Sequence, residues 1–407
     1  MDFKETRKEV QRSFLSARSY TDGFFSLICP DSFYERPVPE RHRFIFYLGH
    51  LEAFDWNMVC YEDLGLKSSQ PELDELFAFG IDPPPGQLPQ DRSSEWPSVP
   101  EVRQYNKEVR RIIDENIKDI SEVKLQVALE HRLMHFETLT YILHHLSNDQ
   151  KTLSYLPKKL EGFSANHSMI HIPGGFATLG KNPGNGFGWD NEFGEHQVMV
   201  PPFAIEKYKV TNGQFLEFVK EGVNPPLFWV DRKGKWFCRT VFGEVPLPLD
   251  WPVYVTHQEA TAYAQWVRKY LPTEAQYHRA AYGTPDGRER PYPWGTKPPS
   301  DMGIGEIDFR RWDPVPVSAT PELDSAFNVS QLLGNGWEWT STPFRPFEGF
   351  KPFSFYPRYS SRFFDDVHFV LKGASWQTES RLMRRSFRNW FRETYPYVYA
   401  GFRCVEA

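Results

Sequence analysis

The chain has 407 residues, more than one ordinary domain of roughly 100–200, so two domains are expected. Hydrophobic residues make up 40% and charged residues 25%, ordinary globular usage that excludes a disordered chain or a long coiled coil. A net charge of −6 leaves no overall basic field to gather nucleic acid or anionic lipid.

The N-terminal stretch MDFKETRKEVQRSF is charged and lacks the apolar core of a signal peptide, and no apolar run reaches the roughly 20 residues of a bilayer span. A cytoplasmic protein without membrane partners is the expectation. Residues 2–19 and roughly 40–64 supply two helices. The stretch from about 66 to 99, with DPPPGQLPQ and SSEWPSVP, is long for a connection and reads either as a functional loop or as a plain linker. Val102, Tyr105, Val109, Ile112, Ile113, Ile117 and Ile120 recur at steps of three and four, the mark of a third helix. Ser121 to about Leu146 repeats the pattern with Val127, Leu129, Leu133, Phe136, Leu139 and Leu143. Four such helices predict a four-helix bundle over residues 1–155.

Beyond about residue 160 the pattern changes. MIHIPGGFATLG and EHQVMVPPFAIEKYKV read as short strands broken by Gly and Pro. Thr211–Gln214, Thr256–Glu259 and Thr273–Gln276 have capping-box spacing and predict three short helices. Residues 283–330 and 341–368 show no periodicity and many turn residues. Together with 34 Pro, 27 Gly, 13 Trp, 19 Tyr and 34 Phe, this predicts a second, irregular α+β domain over 165–407. Cys29, Cys60, Cys238 and Cys404 are scattered without a CxxC pair, which argues against a disulfide framework or a cysteine-rich zinc site.

The strongest chemical signal is His131-Arg-Leu-Met-His135-Phe-Glu137. Residues four apart lie one turn above each other on a helix, so both imidazoles can reach one metal ion. Glu137 falls about 200° round from His135 and is expected in support, off the metal. A third ligand must come from another helix. His50 is the candidate, with Gly49 beside it allowing close approach. A zinc-protease motif would need Glu directly after the first histidine, where Arg132 stands. Three neutral imidazoles suit Zn or Fe(II) and leave positions open for substrate. His144 and His145 lack a helix-spaced partner and are expected on a solvated face.

Leu271-Pro-Thr-Glu-Ala-Gln-Tyr-His-Arg-Ala-Ala, Tyr292-Pro-Trp-Gly, Gly334-Asn-Gly-Trp-Glu-Trp-Thr340, Lys372-Gly-Ala-Ser-Trp376 and Ala400-Gly-Phe-Arg-Cys404 closely resemble the formylglycine-generating-enzyme (sulfatase-modifying-factor) fold, a C-type-lectin-like variant. The first half resembles DinB-like helical bundles that bind a metal through three histidines. In this order the two resemble the ergothioneine-type sulfoxide synthases, which are non-haem iron enzymes. The resemblance implies Fe(II) held by His50, His131 and His135. It also implies an O₂-dependent reaction joining a cysteine-type thiol to the imidazole of N-α-trimethylhistidine (hercynine) and leaving a sulfoxide. The family's Arg-Asn-Trp segment is here Arg388-Asn389-Trp390, which makes Asn389 and Trp390 candidates for holding trimethylhistidine; aromatic faces attract quaternary ammonium groups. A family tyrosine that donates a proton maps onto Tyr356, with Tyr359 as the alternative. Arg92, on the long loop, is a candidate for a substrate carboxylate.

The chain departs from one well-known branch at Met134, where that branch has Gln, and at Phe391, where it has Asp. The lost acid weakens the case for γ-glutamylcysteine, and free cysteine or another small thiol or selenol fits equally. The active site is expected between the bundle and the second domain. Rival readings are selenium transfer to the same imidazole, a metal-dependent thiol transferase, and a non-catalytic lectin-like binding protein. The formylglycine route needs a cysteine pair before the Gly-Phe-Arg end. Ser380-Arg-Leu-Met-Arg-Arg385 has none.

Overall fold

The long helices of the first half form over its apolar stretches, and capping boxes set the starts of two of them. The computed structural model describes residues 6–78, 87–153, 168–304 and 311–406. Two compact units emerge, Lys4–Tyr155 and Leu156–Ala407. Among the described residues no helix is long and apolar enough to cross a membrane.

In the first unit α1 (Arg7–Phe25) begins at a Thr6–Glu9 capping box, five residues beyond the expected start at residue 2. Helix α2 (Phe44–Asp55) runs on into one π-helical segment, Trp56–Tyr61. A short α3 (Pro71–Leu76) lies inside the stretch read as a loop, whose residues 79–86 fall outside the described residues. Helix α4 (Val99–Asn116) starts at a Ser98–Glu101 box, and α5 (Glu122–His145) follows Ser121. Helix α1 packs on α5 and α2 on α4. The core between them includes Phe14, Phe24, Leu51, Tyr105, Ile113, Leu129 and Leu139, all nearly or fully buried. Ile120 is also fully buried although the helix has ended at Asn116, which is why the apolar periodicity overran it. From Leu125 to His144 helix α5 is buried on nearly every side, charged residues included. His144 is therefore buried rather than solvated, because the last turn of α5 still lies within the unit; His145 is half-buried.

Among the described residues of the second unit, short strands surround three α-helices. Strands β1 (Met169–Ile172) and β4 (Phe203–Glu206) pair antiparallel, and the C-terminal β12 (Val405–Glu406) takes the other edge of β4. Strands β2 (Gly175–Leu179) and β3 (His196–Val200) form a second pair. A meander of β5 (Trp229–Arg232), β6 (Lys235–Thr240) and β7 (Gly243–Pro246) forms a three-stranded sheet. Its first turn, Lys233-Gly234, has φ of 57° and 80°. This is the two-residue hairpin geometry that Asn-Gly or Asp-Gly usually announces, and Lys hides the signal. The fourth sheet has the order β10-β9-β8-β11, made of β8 (Gly336–Pro343), β9 (His368–Ala374), β10 (Asn389–Arg392) and β11 (Ala400–Gly401). Helices α6 (Asn212–Lys220), α7 (His257–Trp266) and α8 (Glu274–Tyr282) each begin at one of the three Thr capping boxes.

The motifs of the second half hold this unit together. Glu338, from Gly-Trp-Glu-Trp, is fully buried and accepts two bonds from the Arg403 guanidinium, at 2.6 and 2.9 Å. Lys209 lies 3.2 Å from the same carboxylate. Burying a carboxylate is costly unless it is paired and hydrogen-bonded, and this one is both.

Candidate metal centre

His50 on α2 and His131 and His135 on α5 converge. Each offers a ligand atom, all within 4.8 Å of one another. The Nε2 atoms of His131 and His135 are 3.1 Å apart, and the His50 ring centroid lies 5.3 and 5.0 Å from theirs. All three side chains are buried. The i, i+4 spacing explains the α5 pair; only tertiary packing brings in His50.

The local backbone prepares His50. Its Nδ1–H donates to the Phe77 carbonyl at 2.6 Å, because a carbonyl can only accept. The lone pair then sits on Nε2, which is buried and meets no protein partner. Gly49 is needed beside it: a Cβ there would lie 2.6 Å from the Phe77 ring. Glycine thus admits the residue whose carbonyl orients His50.

Electrostatics keep the rings neutral. Burial pushes His50 down to about 4, opposed by its bond to Phe77. Burial also drives His131 and His135 well below the usual imidazole range; His135, His50 and Arg132 add to the drop at His131, and His50, Arg41 and Arg132 to that at His135. Neutral imidazole is the form that binds a metal. Three buried nitrogens directed at one point, one with a free lone pair fixed by its hydrogen bond, fit a first-row transition ion.

Sequence reasoning missed the ion cluster behind this group. Arg132, set aside as the residue that breaks a protease motif, is 1% exposed and donates to Glu52 at 2.6 Å and to Asp55 at 2.5 Å. It also reaches Thr21 Oγ1 and the Leu51 carbonyl. Arg110 holds the other side of Glu52 at 2.6 and 2.9 Å. The pair ties α2 to α5 within two residues of His50 and one of His131. The usable signal was the run of charges inside helices otherwise apolar all round.

Glu137 is buried on α5, and Met134 beside His135 is half-buried. Arg92 is exposed, and its backbone N–H bonds Glu95 at 2.9 Å. Its neighbour Asp91 takes the loop's ion pairs, from Arg36 and Arg43.

The remaining candidates lie in the second unit. Asn389 and Trp390 are half-buried on β10, and the Asn389 side-chain oxygen accepts from the Trp390 N–H at 2.9 Å. Trp390 stacks on Phe344, with centroids 4.3 Å apart and planes at 7°. Tyr359 meets Trp390 edge-on at 5.4 Å and stacks on Trp189 at 4.0 Å. Tyr356 lies 5.5 Å from Tyr359. Phe391 stacks on Tyr395. Arg388 is buried and bonds Glu274 at 3.1 Å, a structural tie behind the Asn-Trp pair.

Comparison with known proteins gives both units a class. Residues 156–407 match the Sulfatase-modifying factor enzyme 1-like domain, and residues 13–148 match the DinB superfamily. The chain is 33% identical to a hercynine oxygenase of Mycolicibacterium smegmatis, over 69% of this chain and 71% of that protein. It is 39% identical to a hercynine oxygenase of Mycobacterium tuberculosis, over 53% of this chain and 55% of that one. A 27% identity to ergothioneine biosynthesis protein 1 of Neurospora crassa covers 91% of this chain and 54% of that protein. The chain thus spans little more than half the length of the last two relatives. It belongs to the family of the hercynine oxygenases and ergothioneine biosynthesis proteins, the ergothioneine-type sulfoxide synthases that the motifs resemble.

Proposed function

We propose that this chain is an O₂-dependent non-haem iron sulfoxide synthase acting on hercynine and a cysteine-type thiol. The carrying observation is the convergence of three buried imidazoles in a chain of this family. In this reading His50, His131 and His135 hold Fe(II). The iron supplies one-electron chemistry with O₂ that protein side chains lack, and a three-histidine site leaves positions for reactants. The balance is one thiol, one imidazole and one O₂ giving one sulfoxide and one water. An S–H and a C–H bond break, a C–S and an S–O bond form, and O₂ takes four electrons.

The protein's own part is to bind, orient and move protons. Asn389 and Trp390 take the role of holding hercynine, the amide on a polar edge and the indole near the quaternary ammonium. A tyrosine supplies the proton, since a phenol with an ordinary value of about 10 stays protonated at neutral pH. Tyr359 is favoured over Tyr356 by its edge-on contact with Trp390. Arg92, exposed on its loop, takes a substrate carboxylate in the same reading. Phe391 in place of an acid favours cysteine or another small thiol over γ-glutamylcysteine. A cytoplasmic location belongs to this reading as well.

The test is anaerobic loading with Fe(II), then air with hercynine and a panel of thiols, read by mass spectrometry. The expected result is a hercynine–thiol S-oxide that needs O₂ and disappears in His131→Ala. Full iron loading with no coupled product from any thiol would overturn the reading.

A further inference from the structure

Helix α2 carries more than one ligand toward the proposed metal. His42, Phe46, His50 and Phe54 stand four residues apart from just before the helix to its last turn, so their rings form one column. His42 and Phe46 stack with centroids 4.1 Å apart, and Phe46 and His50 follow at 4.8 Å with planes at 18°. Phe54 lies 6.3 Å from His50, tilted. It then reaches the other helix. Its ring lies flat on His131 of α5, with centroids 3.4 Å apart and planes at 12°.

A ligating imidazole ordinarily donates its second N–H to a carboxylate, a carbonyl or water, and that bond fixes the rotation of the ring. His50 has such a bond, to Phe77. His131 does not: its Nδ1 is buried and meets no protein acceptor. The terminal torsion of a histidine is broad, so without a restraint the ring can swing its Nε2 off target.

We infer that Phe54 is a positioning residue for His131, its ring face holding the imidazole plane where a hydrogen bond usually would. This inference rests on the metal-centre reading. Phe54 is half-buried, unlike the fully buried Phe24 and Phe44, so filling the core is not its evident task.

Co(II) is the probe, because its visible spectrum reports ligand geometry as well as occupancy. The full-length chain is titrated with Co(II) against a competing chelator, and the metal-free form is melted in parallel. Phe54→Leu and Phe54→Met should bind Co(II) about 10- to 100-fold more weakly, the range for losing an outer-shell partner, and change the visible bands. Phe54→Tyr, which restores a ring, should return to within about threefold of wild type. Phe24→Leu, a core change facing Phe136, should lower the melting temperature while leaving Co(II) affinity and spectrum unchanged. Wild-type affinity and spectrum in both Phe54→Leu and Phe54→Met would overturn the inference. So would an equal loss of affinity in Phe24→Leu. His50→Ala and His131→Ala decide the underlying reading separately: Co(II) binding that survives both would remove the metal centre itself.

Discussion

Replacing Arg132 by Met tests the ion cluster that joins α2 to α5. Methionine keeps much of the apolar stem, so the loss is chiefly electrostatic. Glu52 retains Arg110 at 2.6 Å, which leaves Asp55 as the stranded group. Asp55 is 0% exposed, and one of its oxygens already meets no protein partner. Burial raises its carboxyl, Arg132 opposes this, and Glu52 adds to the rise. Breaking a buried pair from one side costs about 3–5 kcal/mol. Protonation of Asp55 softens this toward the roughly 1–3 kcal/mol of a neutral unsatisfied group. With Arg132 gone, the folded carboxyl titrates still further above its unfolded value. The variant's stability is thus fullest below the unfolded carboxylate range and is lost as pH rises through the folded value. Urea unfolding followed by the helical circular dichroism signal should give a deficit of about 3 kcal/mol at pH 8 and less at pH 5. Adding Asp55→Asn should recover part of the pH 8 deficit. A loss below about 1 kcal/mol at both pH values would refute the reasoning, as would full additivity of the two changes, since coupled groups do not add.

Gly49→Ala should cost about 1–3 kcal/mol in thermal or urea unfolding, because its Cβ would enter the Phe77 ring. The same change should weaken metal binding by displacing the carbonyl that orients His50, which a Co(II) titration reads. Asn389→Ala should weaken hercynine binding by calorimetry while iron loading stays at wild-type level; equal loss of both would mark a structural role. Tyr359→Phe should divert oxygen onto the thiol and give sulfinate in place of coupled product, with a smaller effect from Tyr356→Phe; unchanged coupling in both would remove the tyrosines from the reaction. Asp313 is buried with one oxygen unpartnered, and burial alone pushes its carboxyl up to about 7. Its contribution is therefore fully present below the unfolded value near 4 and is lost as pH rises through about 7, by up to about 4 kcal/mol. Asp313→Asn should flatten that decline in melts between pH 5 and 8.

Local chemistry determined much of this protein from sequence alone. Apolar residues at steps of three and four set out α4 and α5, and the Thr-x-x-Glu/Gln spacing marked the starts of α6, α7 and α8, because caps and periodicity act within one turn. His131 and His135 were legible as a pair for the same reason. His50 was readable only as a candidate: its partnership depends on α2 and α5 lying side by side, which no spacing within one helix encodes. The Lys233-Gly234 hairpin escaped because lysine seldom adopts a positive φ. Arg132 with Glu52 and Asp55, and Phe54 on His131, escaped for a different reason. A charge or a ring reads as surface or core until its partner is known, and those partners lie about 80 residues away. Their meeting was decided by the packing of α2 beside α5, which buries charges that must then find partners inside the unit.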